Sequence, residues 1–359
     1  MKILGIESSC DETAAAVVEN GTTLLSNIIH SQIDIHAEYG GVVPEIAARS
    51  HLEVINPVIA RALSEAHLEW NDIDAIAVTY APGLIGSLLA GTLTARGLAL
   101  LHDKPLYPVH HVEAHVYANF ITEKSDNISL PLPSSAPKFP ILALIVSGNH
   151  SQLVLFADHG KFTLLGQTQD DAVGEAFDKV AKMLGLPYPG GPSIAKAAEH
   201  GDPASHQFPK GKLQNPYDFS FSGPKTAVLR ALQREIGEDF TFASHKLSER
   251  LNEQQVADFA ASFQYSAVKT LVSATERAFR EYTPASVVIA GGVAANTELR
   301  RQLSEKLPIA VEYAPIELCT DNGAMVASLG YFSSLRNAPV DPRKLKTIPQ
   351  LSMANLSSS

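Results

Sequence analysis

HHVEAH, His110 to His115, concentrates three histidines and a glutamate in six residues. Three readings fit: a metal site, a protease signature, or a helix that happens to carry histidines. On a helix, His111 and His115 stand at i and i+4, share one face and can ligate a single metal ion. Glu113 lies about 200° around that helix from His111, at roughly 100° per residue, and so points away. This disfavours a zincin protease, whose HExxH glutamate follows its first histidine directly. A third ligand must come from elsewhere. The candidate is Asp321 in PIELCTDNGAMVASLG, where a short apolar run ends in an acidic turn before a small-residue helix. The plainer readings are a surface or capped helix for the histidines and an ordinary N-cap for Asp321.

Four turns of glycine and small polar residues, GIESSCDET, VSGNHSQ, YPGGP and AGGVAAN, let backbone N–H groups approach an anion or a ribose closely. VIAGGVAANTELRR reads as strand, turn, helix. There Gly291 and Gly292 would let a base or ribose pack at the helix start while Asn296 supplies a polar side chain. A simple strand-to-helix turn is the plainer reading. Asp178, in GEAFDK, sits on a helix as a site residue or as a solvated carboxylate. FSFSGPKTAVL reads as a strand and a helix with Ser222 as cap and Pro224 in the first turn, and Lys225 reads as a surface charge. Neither Cys10 nor any serine stands in a nucleophile elbow.

The elements that must position these residues come in duplicate. KILGIESSCDETAAAVVENGTTLLSN, from Lys2, lies over PILALIVSGNHSQLVLFADHGKFTLLGQ, from Pro140, with a one-residue slip near the second turn. Each reads as three short strands joined by tight turns. DIDAIAVTYAPGLIGSLLAGTLTARGLAL and ASVVIAGGVAANTELRRQLSEKL both run strand, glycine turn, helix. This α/β plan is that of the actin, sugar-kinase and Hsp70 ATPase fold: two similar subdomains with a nucleotide cleft between them. The expected division gives subdomain I residues 1–109 plus about 325–345, and subdomain II residues 110–324. TEKSDNISLPLPSSAPK, residues 122–138, lacks any period and is expected to be a flexible loop; the tail, 346–359, is expected to be frayed.

At 359 residues there is room for two domains and a buried site, and no apolar run is long enough to span a bilayer. Cys10 and Cys319 are too few for a disulfide framework, and MKILGIESSCDE has no export signal, so a reducing cytoplasm is the expected compartment. The net charge of −10 has the wrong sign for gripping nucleic acid by overall phosphate neutralisation. Any nucleic acid must meet a local basic patch or a partner's surface.

IESSCDET, GGVVPEIAARSH, PVHHVEAH, VSGNHSQL, DDAVGEAFDKVAKMLGLPYPGGP, FSFSGPKTA, AGGVAAN and CTDNGAM occur in the order found in the universal tRNA threonylcarbamoyladenosine transferase family. The chain most resembles the bacterial type, formerly described as an O-sialoglycoprotein endopeptidase, up to about Phe332. The resemblance implies an actin-like fold and an acyl transfer: N6 of adenosine 37, in tRNAs reading ANN codons, attacks threonylcarbamoyl-AMP and AMP leaves. It implies His111, His115 and Asp321 as ligands of one divalent metal, iron or zinc. It implies Ile145, Val146, Ser147, Gly148, Asn149, Asp178, Gly191 and Asn296 on the nucleotide side. Asp11 and Glu12, at the first hairpin turn, become the acid–base or metal-orienting candidates. The implied partners are tRNA, a catalytically inactive paralogue and a P-loop ATPase, with no membrane.

Two features depart from the family pattern. Its usual SGGHTQ reads SGNHSQ here, so Asn149 replaces a glycine; asparagine tolerates positive φ, and the turn is expected to survive on that account. The loop before Pro140 is longer than in typical bacterial members. Two rival readings are a metal-dependent endopeptidase, which lacks a placed base, and a sugar-kinase-like ATPase, which would carry an Asp-Gly-Thr-type phosphate loop and no histidine pair.

Overall fold

The computed structural model describes residues 1–211 and 213–356. The first half runs β1 (Lys2–Glu7), β2 (Glu12–Glu19), β3 (Thr23–Ser31), α1 (Ile33–Ala37), α2 (Pro44–Glu65), β4 (Ala75–Ala81), α3 (Ile85–Leu101), β5 (Leu106–His110), α4 (His111–Tyr117) and β6 (Glu123–Lys124). The second runs β7 (Ile141–Val146), β8 (Ser151–Asp158), β9 (Lys161–Gln167), α5 (Val173–Met183), α6 (Gly190–Ala198), α7 (Ser222–Glu235), α8 (Glu253–Tyr282), β10 (Ser286–Ala290), α9 (Thr297–Lys306), β11 (Val311–Tyr313), α10 (Ile316–Cys319) and α11 (Gly323–Ser334).

The strand orders are β5-β4-β1-β2-β3-β6 and β11-β10-β7-β8-β9. Each sheet is thus an antiparallel meander extended by two parallel strands on the side of its first strand. The five-strand order repeats, which makes this a duplicated actin-like α/β fold. β1 and β7 are the central strands. Every residue of ILALIV in β7 is buried, as expected where a strand is covered on both faces. α11 follows the second half in sequence yet packs on β1, β2 and β4 of the first sheet. That packing needs small residues: a Cβ on Gly5 would collide with the Gly323 carbonyl and Ala327.

Two expected irregular segments are held down. In 122–138, β6 pairs with β3, and the Lys138 amide donates to Ser286 Oγ at 2.9 Å. Between these points Ile128, Leu130 and Leu132 pack on the core. The tail is bound by backbone and by one anchor. Ile348 N donates to Tyr80 O at 3.0 Å, Gly83 N donates to Pro349 O at 3.1 Å, and Met353 is fully buried. Residues 346–356 are therefore packed and not frayed; 357–359 lie outside the described residues. No helix among the described residues is long and apolar enough to cross a membrane.

Candidate metal and nucleotide site

β5 ends at His110 and α4 begins at His111, so the histidines enter the molecule where a strand turns into a helix. α4 packs against β5, β7, β10 and α11, and all seven of its residues are buried. His111 Nε2 and His115 Nε2 lie 3.6 Å and 3.3 Å from Asp321 Oδ1. Asp321 is free to face them because Asn322, the next residue, caps α11: its Oδ1 accepts from Met325 N at 2.9 Å. One donor atom from each of the three residues falls within 4.8 Å of the others.

Glu7, at the end of β1, orients His111. Its Oε2 lies 3.1 Å from His111 Nδ1 and accepts from Thr79 Oγ1 at 2.7 Å; its Oε1 accepts from Ser9 N at 2.6 Å. Ser9 Oγ is also 3.1 Å from His111 Nδ1. With Nδ1–H given to Glu7, Nε2 is the nitrogen turned toward Asp321, an arrangement that fixes the tautomer of a metal-ligating histidine once its Nε2 proton is displaced. Burial raises the Glu7 carboxyl, but His111 outweighs it and the net shift is downward. Burial likewise opposes ionisation of Asp321, and His111 and His115 hold it below the ordinary carboxylate range.

The triad fits a metal ion. His115 Nδ1 is buried without a hydrogen-bond partner and its Nε2 meets only Asp321 Oδ1, at 3.3 Å, so coordination through Nε2 would give a poorly served buried nitrogen a ligand bond. Ligand atoms about 2.0–2.1 Å from a tetrahedral ion stand roughly 3.3 Å apart, close to the 3.6 Å and 3.3 Å from Asp321 to the two histidines. The other two candidates of the six-residue stretch face away. His110 Nε2 donates to Leu351 O at 3.0 Å, and burial draws its imidazole down to about 4. Glu113 is buried near Tyr117 and Arg336, with its carboxyl pushed up to about 7 by burial.

The turn from Ser8 to Glu12 is stapled from outside. Cys10 O accepts from His51 Nε2 at 2.9 Å and from Ser87 Oγ at 3.0 Å, and Ser9 O accepts from Leu84 N at 2.8 Å. Asp11 and Glu12 stand on this turn. Burial, then Asp321 and Asp11, raise the Glu12 carboxyl well above its ordinary range.

Across the cleft, Ile145 and Val146 are fully buried, so only their backbones can face a ligand. Ser147 O and Gly148 O accept from Gly174 N and Glu175 N at 3.3 Å and 3.0 Å, which seats the turn on the first residues of α5. Gly291 has φ +89°, and a Cβ there would collide with the Val146 carbonyl, so the glycine turn after β10 abuts the turn after β7. Asn149 does not occupy positive φ. Its expected conformational role falls away, and its Nδ2 instead lies 4.0 Å from Cys10 Sγ on the facing turn. Asp178 Oδ1 accepts from Gly190 N at 2.7 Å and so holds the Pro-Gly-Gly-Pro turn; a Cβ on Gly191 would meet nothing within 4 Å. Asn296 is engaged by the protein: its Oδ1 caps α9 through Leu299 N at 3.0 Å and its Nδ2 donates to Gln264.

Two local readings change. Ser222 does not cap α7; Asp170 Oδ1 accepts from Phe221 N and Ser222 N, a cap supplied from a distant loop. Lys225 is more than a surface charge, since its Nζ pairs with Asp171 at 2.5 Å. Sequence reasoning also missed Glu7, Ser9 and His150, whose ring centroid is 6.2 Å from that of His111. Glu7 and Ser9 lie in the same GIESSCDET turn that was read for glycine and anion binding, with no signal there of a link to residue 111.

The model of the tRNA N6-adenosine threonylcarbamoyltransferase family matches residues 23–328. A protein of that name from Thermomicrobium roseum is 50% identical over 348 residues, covering 95% of this chain and 94% of its own. One from Desulfitobacterium hafniense is 49% identical over 358 residues, covering 99% and 98%. Among solved structures, full-length HypF in a phosphate- and nucleotide-bound form aligns with TM-score 0.56 at 13% identity, over 94% of this chain and 47% of that one, a likeness of fold alone. With relatives of one name at half identity over almost the entire length, the chain belongs to the tRNA N6-adenosine threonylcarbamoyltransferase family and is a transferase.

Proposed function

We propose that this transferase moves the threonylcarbamoyl group from threonylcarbamoyl-AMP to N6 of adenosine 37 in tRNAs that read ANN codons. The N6 nitrogen bonds to the carbamoyl carbon, the bond from that carbon to the phosphate oxygen breaks, AMP leaves with the electron pair, and N6 sheds one proton. The observation that carries the reading is the meeting of His111, His115 and Asp321 in a chain of this family. His111, His115 and Asp321 hold one divalent ion, iron or zinc. That ion, when bound, supplies charge stabilisation to phosphate or carbamoyl oxygens.

The protein's own share is positioning and proton handling, because the acyl group is already activated as a mixed anhydride. The backbone of Ile145 to Asn149 and the turn at Gly191 receive the nucleotide, with Asp178 holding that turn and Asn296 fixing the start of α9. Glu12, whose carboxyl is raised by burial, is suited to keep a proton; Asp11 beside it is the group that accepts one from N6. An endopeptidase that used the glutamate of this helix as its base would need Glu113 at the triad, and Glu113 is packed elsewhere. The expected setting is the cytoplasm, with tRNA, a catalytically inactive paralogue and a P-loop ATPase as partners, and with the chain divided near residues 110 and 324.

The test is incubation with threonine, bicarbonate, ATP, the adenylate-forming enzyme and unmodified tRNA, with and without both partners, followed by mass spectrometry of the tRNA. The expected product is threonylcarbamoyl on adenosine 37, with repeated turnover only when the partners are present. Unchanged tRNA in the complete mixture overturns the proposal, and multiple turnover by the chain alone overturns the need for partners.

A further inference from the structure

The chain is acidic overall, with net charge −10, yet α8 turns a basic flank outward. Tyr265, Lys269, Ser273 and Arg277 follow one another at four-residue steps, with Arg280 three residues on, so they sit side by side along the helix. All but Ser273 are exposed. Lys210, from the segment before α7, lies across this stripe. Its Nζ donates to Ser273 Oγ at 2.7 Å and to the Lys269 carbonyl at 3.2 Å. Lys269 Nζ in turn stands 5.4 Å over the Tyr265 ring.

The local charge is only partly compensated: Glu276 and Glu281 stand beside the four cations Lys210, Lys269, Arg277 and Arg280. Among the described residues, Lys210, Lys269 and Arg277 have no carboxylate within ion-pair distance; Arg280 alone is paired, with Glu276 at 2.6 Å. The neighbouring Glu281 is occupied by the Tyr217 hydroxyl. Burial, then the nearness of Lys269 and Arg277, draws the Lys210 ammonium below the usual lysine range. An open hollow of about 480 Å³, lined by Ser273, Glu276, Arg277, Arg280 and Glu281, runs beside the stripe. Three cations held together, none of them in an ion pair, repel one another more than the nearby carboxylates offset, and a polyanion laid along them lowers that cost.

We propose that this stripe docks the sugar–phosphate backbone of the tRNA, with Lys210, Lys269 and Arg277 on phosphates and the Tyr265 ring against a sugar or base. The proposal rests on the tRNA reading above. From Lys269 to Arg280 the helix rises about 16 Å, enough to follow more than one phosphate of a strand. The interleaved tyrosine suits RNA better than an acidic protein, because its ring can stack on a nucleoside; Ser273 serves the patch by holding Lys210, its own proton being given to the Lys269 carbonyl at 2.6 Å.

The test is fluorescence anisotropy of the full chain with unmodified tRNA at several salt concentrations. Lys210→Gln, Lys269→Gln and Arg277→Gln combined should weaken binding about tenfold and lower the slope of log Kd against log salt by about 2 to 3. Arg301→Gln, whose guanidinium is taken by Glu298 and Glu305, should change neither. In the complete modification assay the triple variant should raise KM for tRNA and keep kcat. An unaltered Kd and salt slope in the triple variant overturns the proposal and leaves the stripe to a different, acidic partner. Loss of binding in the variant, with no modification by the unsubstituted chain, instead overturns the functional reading and keeps the RNA surface.

Discussion

His111 serves two neighbours at once, Glu7 on one ring nitrogen and Asp321 on the other. Burial alone would lower its imidazole; Asp321 and Glu7 overcome that and push it up to about 9. A ligating imidazole must be deprotonated, so metal binding at neutral pH displaces a proton. Below about pH 9 each unit of acid should weaken apparent zinc affinity about tenfold, and a titration series between about pH 6.5 and 8.5 checks it; a flat series contradicts the geometry. Glu113 gives a second pH signature. Its folded carboxyl is pushed up to about 7 by burial, with Arg336 pulling the other way. The folded state therefore holds this proton more tightly than the unfolded chain. The stability so gained is complete below about pH 4 and lost as pH rises to 7, a change of roughly 3 kcal/mol. Glu113→Gln removes that loss. Its melting temperature relative to the parent should climb between pH 5 and pH 8, and a constant difference would refute the assignment. At this scale the spacing of His111 and His115 was legible because a helix maps sequence distance onto a face. The Glu7 contact was not, because it joins residues 104 positions apart.

The paired turns around the cleft make the demand on backbone explicit at the scale of elements. Gly291 lies at φ +89° against the Val146 carbonyl, whereas Gly191 faces open space without positive φ. Gly291→Ala should cost at least about 2 kcal/mol of stability, from left-handed strain and the displaced strand end. Gly191→Ala should leave stability within about 0.5 kcal/mol and weaken AMP binding, since its Cβ would enter the space assigned to nucleotide. Denaturant titration and calorimetry with AMP separate the two. If Gly191→Ala binds AMP unchanged, that glycine does not line the nucleotide site. Strands and helices could be read from alternation and helical period: the two strand, glycine turn, helix segments became β4 with α3 and β10 with α9. What failed was chemistry set by distant chain: Asp170 capping α7 in place of Ser222, and Asn149 reaching toward Cys10 on the facing turn without positive φ.

For the whole molecule, the repeated strand order makes two sheets, and the triad is assembled from α4, which follows the first sheet's β5, and from the turn that enters α11. The repeat was visible in sequence because both meanders keep the same strand-turn rhythm. The packed tail was not: LSMANL is too short to show a period, and the tail's order comes from buried Met353, from Leu351 O on His110, and from Ile348 and Pro349 bonded to Tyr80 and Gly83. The apolar core around the triad, Val112, Ala114 and Val116 of α4 with Leu318 and Ala324, is held by packing and not by the ion, so ligand substitutions should leave a folded chain while emptying the site. The most direct measurement is bound metal per chain, taken beside tRNA modification in the complete mixture, for His111→Ala, His115→Ala, Asp321→Ala and Glu113→Gln. The first three should each lose most of the metal and all modification while remaining folded, and Glu113→Gln should keep its metal and much of its activity. Full metal content in Asp321→Ala, or a metallated but inactive Glu113→Gln, would contradict the site and restore the endopeptidase reading.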